Sequence, residues 1–126
     1  MIVNCPVSLG EQVDKLSILR IKQNFIKDPA KLQLIGEEEK RLSEILKELR
    51  LDIDTLLDKL ISVNQKLWKI EDDIREKELK EQFDREFIDL ARSVYKTNDL
   101  RFELKNEINQ KYGSAIREVK SYAKYK

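Results

Sequence analysis

The sequence predicts an all-α protein, an antiparallel helical bundle or long helical hairpin with coiled-coil-like packing. Three observations carry this. Charged residues make up 39% of the 126-residue chain against 40% hydrophobic, a mixture that suits amphipathic helices better than sheets. Only 3 Gly and 2 Pro are present to interrupt long segments. Apolar side chains recur at three- and four-residue spacing through most of the length. One domain, residues 1–126, accommodates a chain of this size, which buries roughly two-thirds of the surface it exposes when unfolded.

The first helix is expected over about residues 8–27. Ser8-Leu9-Gly10-Glu11 reads as a capping box, in which the serine hydroxyl accepts from the Glu11 amide and the Glu11 carboxylate reaches back. Leu9, Val13, Leu16, Leu19 and Ile26 mark the apolar face. Pro29 disfavours α geometry at Asp28, so the helix stops by Lys27, and Asp28-Pro29 then starts a second helix over about 29–51.

From Leu32 a seam of coiled-coil type runs through Ile35, Glu39, Leu42, Leu46, Leu49, Ile53, Leu56, Leu60, Val63, Leu67 and Ile70 to Ile74, broken only by Glu39. The seam keeps its phase, so one helix of ~50 residues and ~75 Å is one reading. The other is a break near Asp52, where Asp52 or Asp54 caps a fresh helix over about 54–80. A further long helix is expected over 82–112, with Phe83, Phe87, Leu90, Val94, Leu104 and Ile108 on its stripe. Gly113 is a natural left-handed stop, and Ser114 caps a short terminal helix over 114–123 in which Ile116, Val119, Tyr122 and Ala123 share a face.

Composition excludes several classes of chemistry. With one cysteine, Cys5, and no histidine, an internal disulfide, a Cys/His zinc site and any His-dependent triad are ruled out. No catalytic residue, metal site or cofactor is expected, and no glycine-rich phosphate loop is present. The start of the chain lacks the basic residues and length of a signal peptide, and no apolar run approaches the ~20 residues of a membrane span, so a cytoplasmic location is expected.

The net charge is +1, from 25 basic and 24 acidic side chains, which makes nucleic acid an unsuitable partner for the domain as a whole. The C-terminal end differs. Lys111, Arg117, Lys120, Lys124 and Lys126 stand against Glu118 alone, so this segment carries +4 and the remainder −3. A basic tail suits an anionic partner or membrane surface, but cations also complement a helix C-terminus for dipole reasons.

Polar residues beside the seams are the one functional clue. Asn64, Glu71, Arg75 and Glu78 line one face of the third helix, and Arg92, Tyr95 and Asp99, with Asn98, Arg101 and Lys105 adjacent, line the fourth. Glu11, Asp14, Lys15 and Arg20 of the first helix can join them. On the functional reading Asn64, Glu71, Arg75, Arg92, Tyr95, Asn98 and Arg101 form a cleft, with the arginines gripping carboxylate or phosphate through the guanidinium fork. On the structural reading the same groups are interhelical ion pairs that fix register. Trp68 and Tyr95 are expected as packing anchors, with stacking on a sugar or base as the alternative.

Val7-Ser8-Leu9-Gly10-Glu11 with Asp14-Lys15-Leu16, then Val63-Asn64 with Leu67-Trp68 and Ile70-Glu71-Asp72, and Leu90-Ala91-Arg92 with Val94-Tyr95 and Asn98-Asp99, resemble a family of small bacterial proteins of unknown function. The resemblance spans most of the chain and implies no activity. In outline, helices with inward arginines are also similar to the all-helical chorismate mutases, a likeness at the level of fold alone.

Two functions follow as expectations. The first is a non-enzymatic interaction or assembly module that forms a homodimer through the heptad seam and offers leftover apolar surface to a protein partner. The second is a binder of, or enzyme acting on, a small anionic metabolite held by the Arg/Asn/Glu cluster.

Overall fold

The computed structural model describes residues 1–125; Lys126, the last residue of the basic tail, lies outside the described residues. The fold is an all-α bundle of four helices: α1 (Leu9–Phe25), α2 (Pro29–Glu48), α3 (Asp54–Leu79) and α4 (Arg85–Lys111). α1 packs against all three others, α3 packs against α4, and α2 packs against α1 alone. α1 is thus the middle layer, with α2 on one side and the α3–α4 hairpin on the other. No helix among the described residues is long and apolar enough to cross a membrane.

The start signals act locally, with one change. The Ser8 side chain accepts from the Glu11 amide at 3.1 Å, giving α1 half of the expected capping box. The other half is absent, because the Glu11 carboxylate is drawn 2.7 Å from the Lys105 ammonium on α4. Asp28 caps α2 by accepting from the Ala30 amide at 3.0 Å, with Pro29 at the first helical position. Asp84 caps α4 through the Phe87 amide at 3.0 Å. The fourth helix therefore starts at Arg85, and Phe83 lies before it, edge-on to Phe87 with ring centroids 5.2 Å apart.

The long seam is divided. Arg50 takes a left-handed conformation (φ 53°), α2 ends at Glu48, and α3 begins at Asp54. Neither Asp52 nor Asp54 is the cap: Ile53 holds that position without a side-chain cap, and its buried side chain joins the core. Tyr112, at the end of α4, donates its hydroxyl to the Asp52 carbonyl and ties the break to the base of the hairpin.

The core at this end combines Val13 and Leu16 of α1, Leu46 of α2, Ile53, Leu56, Leu57 and Leu60 around α3, and Ile108 of α4. Each such side chain removed from water stabilises the fold by roughly 1.5–3 kcal/mol. Glu39, the polar break in the seam, is satisfied by the Ser43 hydroxyl at 2.9 Å and lies 3.6 Å from Arg20 of α1.

The expected terminal helix over 114–123 does not form. Gly113 does turn left-handed (φ 63°). Ser114 then accepts from the Leu9 amide at 3.1 Å and donates to the Ile116 carbonyl at 2.8 Å instead of capping a new helix. Glu118 is held by Lys105 at 2.8 Å and the Tyr125 hydroxyl by Asp99, so the tail runs back along α4 as an irregular strap. These tethers hold the segment against α4 in place of a short isolated helix, which is marginal on its own, and leave Val119 88% and Tyr122 78% exposed.

Candidate functional site

Gly10, Asp14, Ser17 and Ile21 recur at four, three and four residues, which places them on one face of α1. All four are buried against the hairpin. At Gly10 a Cβ would run into the Lys105 carbonyl and stand 3.0 Å from Asn109 Oδ1, so only glycine lets α1 and α4 approach this closely. The Gly10 amide donates to Asn109 Oδ1 at 2.7 Å, which satisfies a first-turn N–H that has no partner within the helix.

One turn on, Asp14 is 1% exposed. Its Oδ1 accepts from Arg101 Nε at 2.9 Å and from Asn64 Nδ2 at 2.9 Å, while its Oδ2 accepts from Arg101 Nη2 at 2.5 Å. Asn64 also donates to Ser17 Oγ at 2.7 Å, and Ser17 Oγ donates to the Asp14 carbonyl at 2.6 Å. A buried carboxylate is costly unless paired and hydrogen-bonded, and here α3 and α4 each supply a donor to it. Hydrogen bonding to Asp14 holds the Arg101 guanidinium above its ordinary pKa, outweighing its partial burial.

Lys105, a turn beyond Arg101, sits between the carboxylates of Glu11 (2.7 Å) and Glu118 (2.8 Å). Burial pulls its ammonium pKa down, but the hydrogen bonds to Glu11 and Glu118 prevail and hold it above the ordinary lysine value. Lys105 in turn holds the Glu118 carboxyl below the usual glutamate range.

The seven expected site residues fall into two groups, bridged where Asn98 and Tyr95 also share a recess of about 730 Å³ between α4 and the tail. Asn64, Glu71, Arg75, Asn98 and Arg101 line one open cleft of about 410 Å³ over the α1, α3 and α4 surfaces, together with Ile18, Ile21, Leu67, Trp68 and Asp72. Arg92 and Tyr95 are elsewhere on α4, in a recess of about 430 Å³ shared with Lys96, Leu100 and Tyr125. Tyr95 stands edge-on to Tyr125 at 5.3 Å. The three arginines therefore do not converge on one ligand. Arg101 spends two donors on Asp14, and Arg75 spends two, at 3.3 Å each, on Glu71 of its own helix. Glu71, Asp72 and the buried Asp14 outnumber the two guanidiniums, so the cleft has no net positive field.

Trp68 stacks on Phe25 with centroids 5.4 Å apart and planes at 17°, which makes it a packing anchor between α3 and the end of α1. Ser17 and Asn109 are the residues the sequence left undrawn, while Asp14 and Lys105, expected only to join the polar line, are among its most buried members. Their signal is spacing: Gly10, Asp14 and Ser17 on α1, and Arg101, Lys105, Ile108 and Asn109 on α4, each follow a core-facing helical period. Among the described residues no three acidic or cysteine side chains are placed to hold a metal ion. What this arrangement does chemically is lock three helices and the tail in register. Compared with known proteins, the chain matches no family model, no curated sequence and no solved structure.

Proposed function

We propose that this chain is a non-enzymatic helical interaction module of the cytoplasm that self-associates through α2. One observation carries this reading: α2, 20 residues long, packs on α1 alone and buries only Leu46 fully, leaving Leu34, Ile45 and Leu49 68%, 49% and 48% exposed. A helix in a finished bundle hides an apolar stripe, and exposed apolar surface of this kind marks a partner-binding face. The polar node points the same way, since its donors and acceptors are engaged within the chain. A reducing compartment suits the single exposed Cys5. The family resemblance supplies no activity to set against this.

Light scattering across a concentration series tests the proposal. A mass rising toward twice the 15.0 kDa of the chain is expected. A mass that stays at 15.0 kDa at every concentration would overturn it.

A second reading, a small anionic metabolite in the cleft, is favoured by one observation: five of the seven expected residues do line it, beside Trp68. It requires Arg75 to leave Glu71 for the ligand. A thermal-shift screen of anionic metabolites against the wild type and Arg75→Ala separates the two readings, because selective binding to the native state raises its stability. A shift lost in Arg75→Ala supports the binder, and no shift with any metabolite leaves the module.

A further inference from the structure

Resting on the reading of the chain as self-associating, we infer that the partner is a second copy docked antiparallel along α2, with Leu34 against the second copy's Ile45 and Glu38 against its Arg41. At 3.6 residues per turn, Leu34, Glu38, Arg41 and Ile45 fall within an arc of about 60°, about 110° around the helix from the seam that faces α1. Leu34 and Ile45 are exposed, Glu38 and Arg41 are exposed between them, and Leu49 continues the stripe by one turn. Glu38 lies 3.4 Å from Lys15 of α1 on this flank, both side chains being about half accessible. Arg41 has no ion-pair partner within the chain among the described residues.

The spacing four, three, four is a short coiled-coil seam with apolar ends and a charged centre. Its charge order is self-complementary in one direction only. An antiparallel pair related by a two-fold axis midway between Glu38 and Arg41 forms two identical Glu38–Arg41 contacts flanked by two Leu34–Ile45 contacts, the isologous pattern of a symmetric dimer. A parallel pair sets Glu38 against Glu38 and Arg41 against Arg41. A slip of one heptad sets Arg41 against Ile45 or Leu34 against Glu38. Polar residues at seam positions fix register by this kind of penalty. In the dimer the Glu38 carboxylate has Lys15 on one side and the second copy's Arg41 on the other.

The test is a charge-swap cycle read by light scattering, with circular dichroism confirming that each variant keeps its helix content. Glu38→Arg and Arg41→Glu each place like charges at the centre, and each is expected to weaken dimerisation at least ~10-fold. The double variant restores opposite charges and is expected to return to within a few-fold of wild type. In a Cys5→Ser background, Leu34→Cys mixed with Ile45→Cys is expected to form the mixed disulfide in preference to either like pair. A wild-type dimer that ignores the swaps, or that cross-links 34 to 34, overturns this register while leaving self-association standing. A wild-type chain that is monomeric throughout overturns both.

Discussion

Asp14 on α1 and Arg101 on α4 meet through two side-by-side hydrogen bonds, of 2.9 and 2.5 Å, and the carboxylate they share is almost wholly withdrawn from water. Asn64 of α3 completes the contact, so one side chain is read by both arms of the hairpin. Register between the central helix and the hairpin rests on this node more than on apolar packing, which is non-directional.

Asp14→Ala is expected to lower stability by about 3–5 kcal/mol in urea titration, because it strands a half-buried guanidinium and the Asn64 amide at once. Asp14→Asn keeps the size of the side chain but removes the charge, and is expected to lie between the two. A loss under ~1 kcal/mol for Asp14→Ala would show the pair to be dispensable.

The glycines make a matched control. Gly10→Ala puts a methyl into the Lys105 backbone and is expected to cost ~1–3 kcal/mol, prying α1 from α4. Gly36→Ala, with no atom within 4 Å of its Cβ, is expected to raise stability by about 0.5–1 kcal/mol through helix propensity. Thermal melts of the two variants moving in the same direction would contradict this assignment.

Acid is expected to loosen the tail. Lys105 holds the Glu118 carboxyl below its ordinary value of 4.5, so the unfolded chain binds this proton more readily than the folded one. The stabilisation is therefore fully present above 4.5 and disappears as pH falls through the depressed folded value. The curves of stability against pH for wild type and Glu118→Gln are expected to converge in that acid window. Parallel curves throughout would show that Glu118 gains nothing from Lys105.

Much of the fold was legible because its signals are local. Ser8, Asp28 with Pro29, and Gly113 act within one turn of where they sit, and the apolar periods of α1, α3 and α4 point toward the core that forms. Long-range competition decided the rest. Glu11 left its capping box for Lys105, Ile53 displaced two aspartates from a helix start by burying itself, and Ser114 and Glu118 tied down a segment whose own pattern reads as helix. The candidate site was half legible for the same reason. Asn64, Glu71, Arg75, Asn98 and Arg101, read as flanking the seams, line one cleft, whereas Arg92 and Tyr95 line a different recess of α4. Ser17 and Asn109 are not distinguished in the sequence, and Asp14 and Lys105 stand only at the edge of the expected cluster, because a charged or small residue on a core face looks, in one dimension, like any surface residue.

The most direct test of self-association through α2 is hydrogen exchange followed region by region as the protein is concentrated. Amides of residues 32–48 are expected to slow as dimers form, while those of α3 and α4 in the hairpin stay constant. Exchange in α2 that is independent of concentration would contradict it.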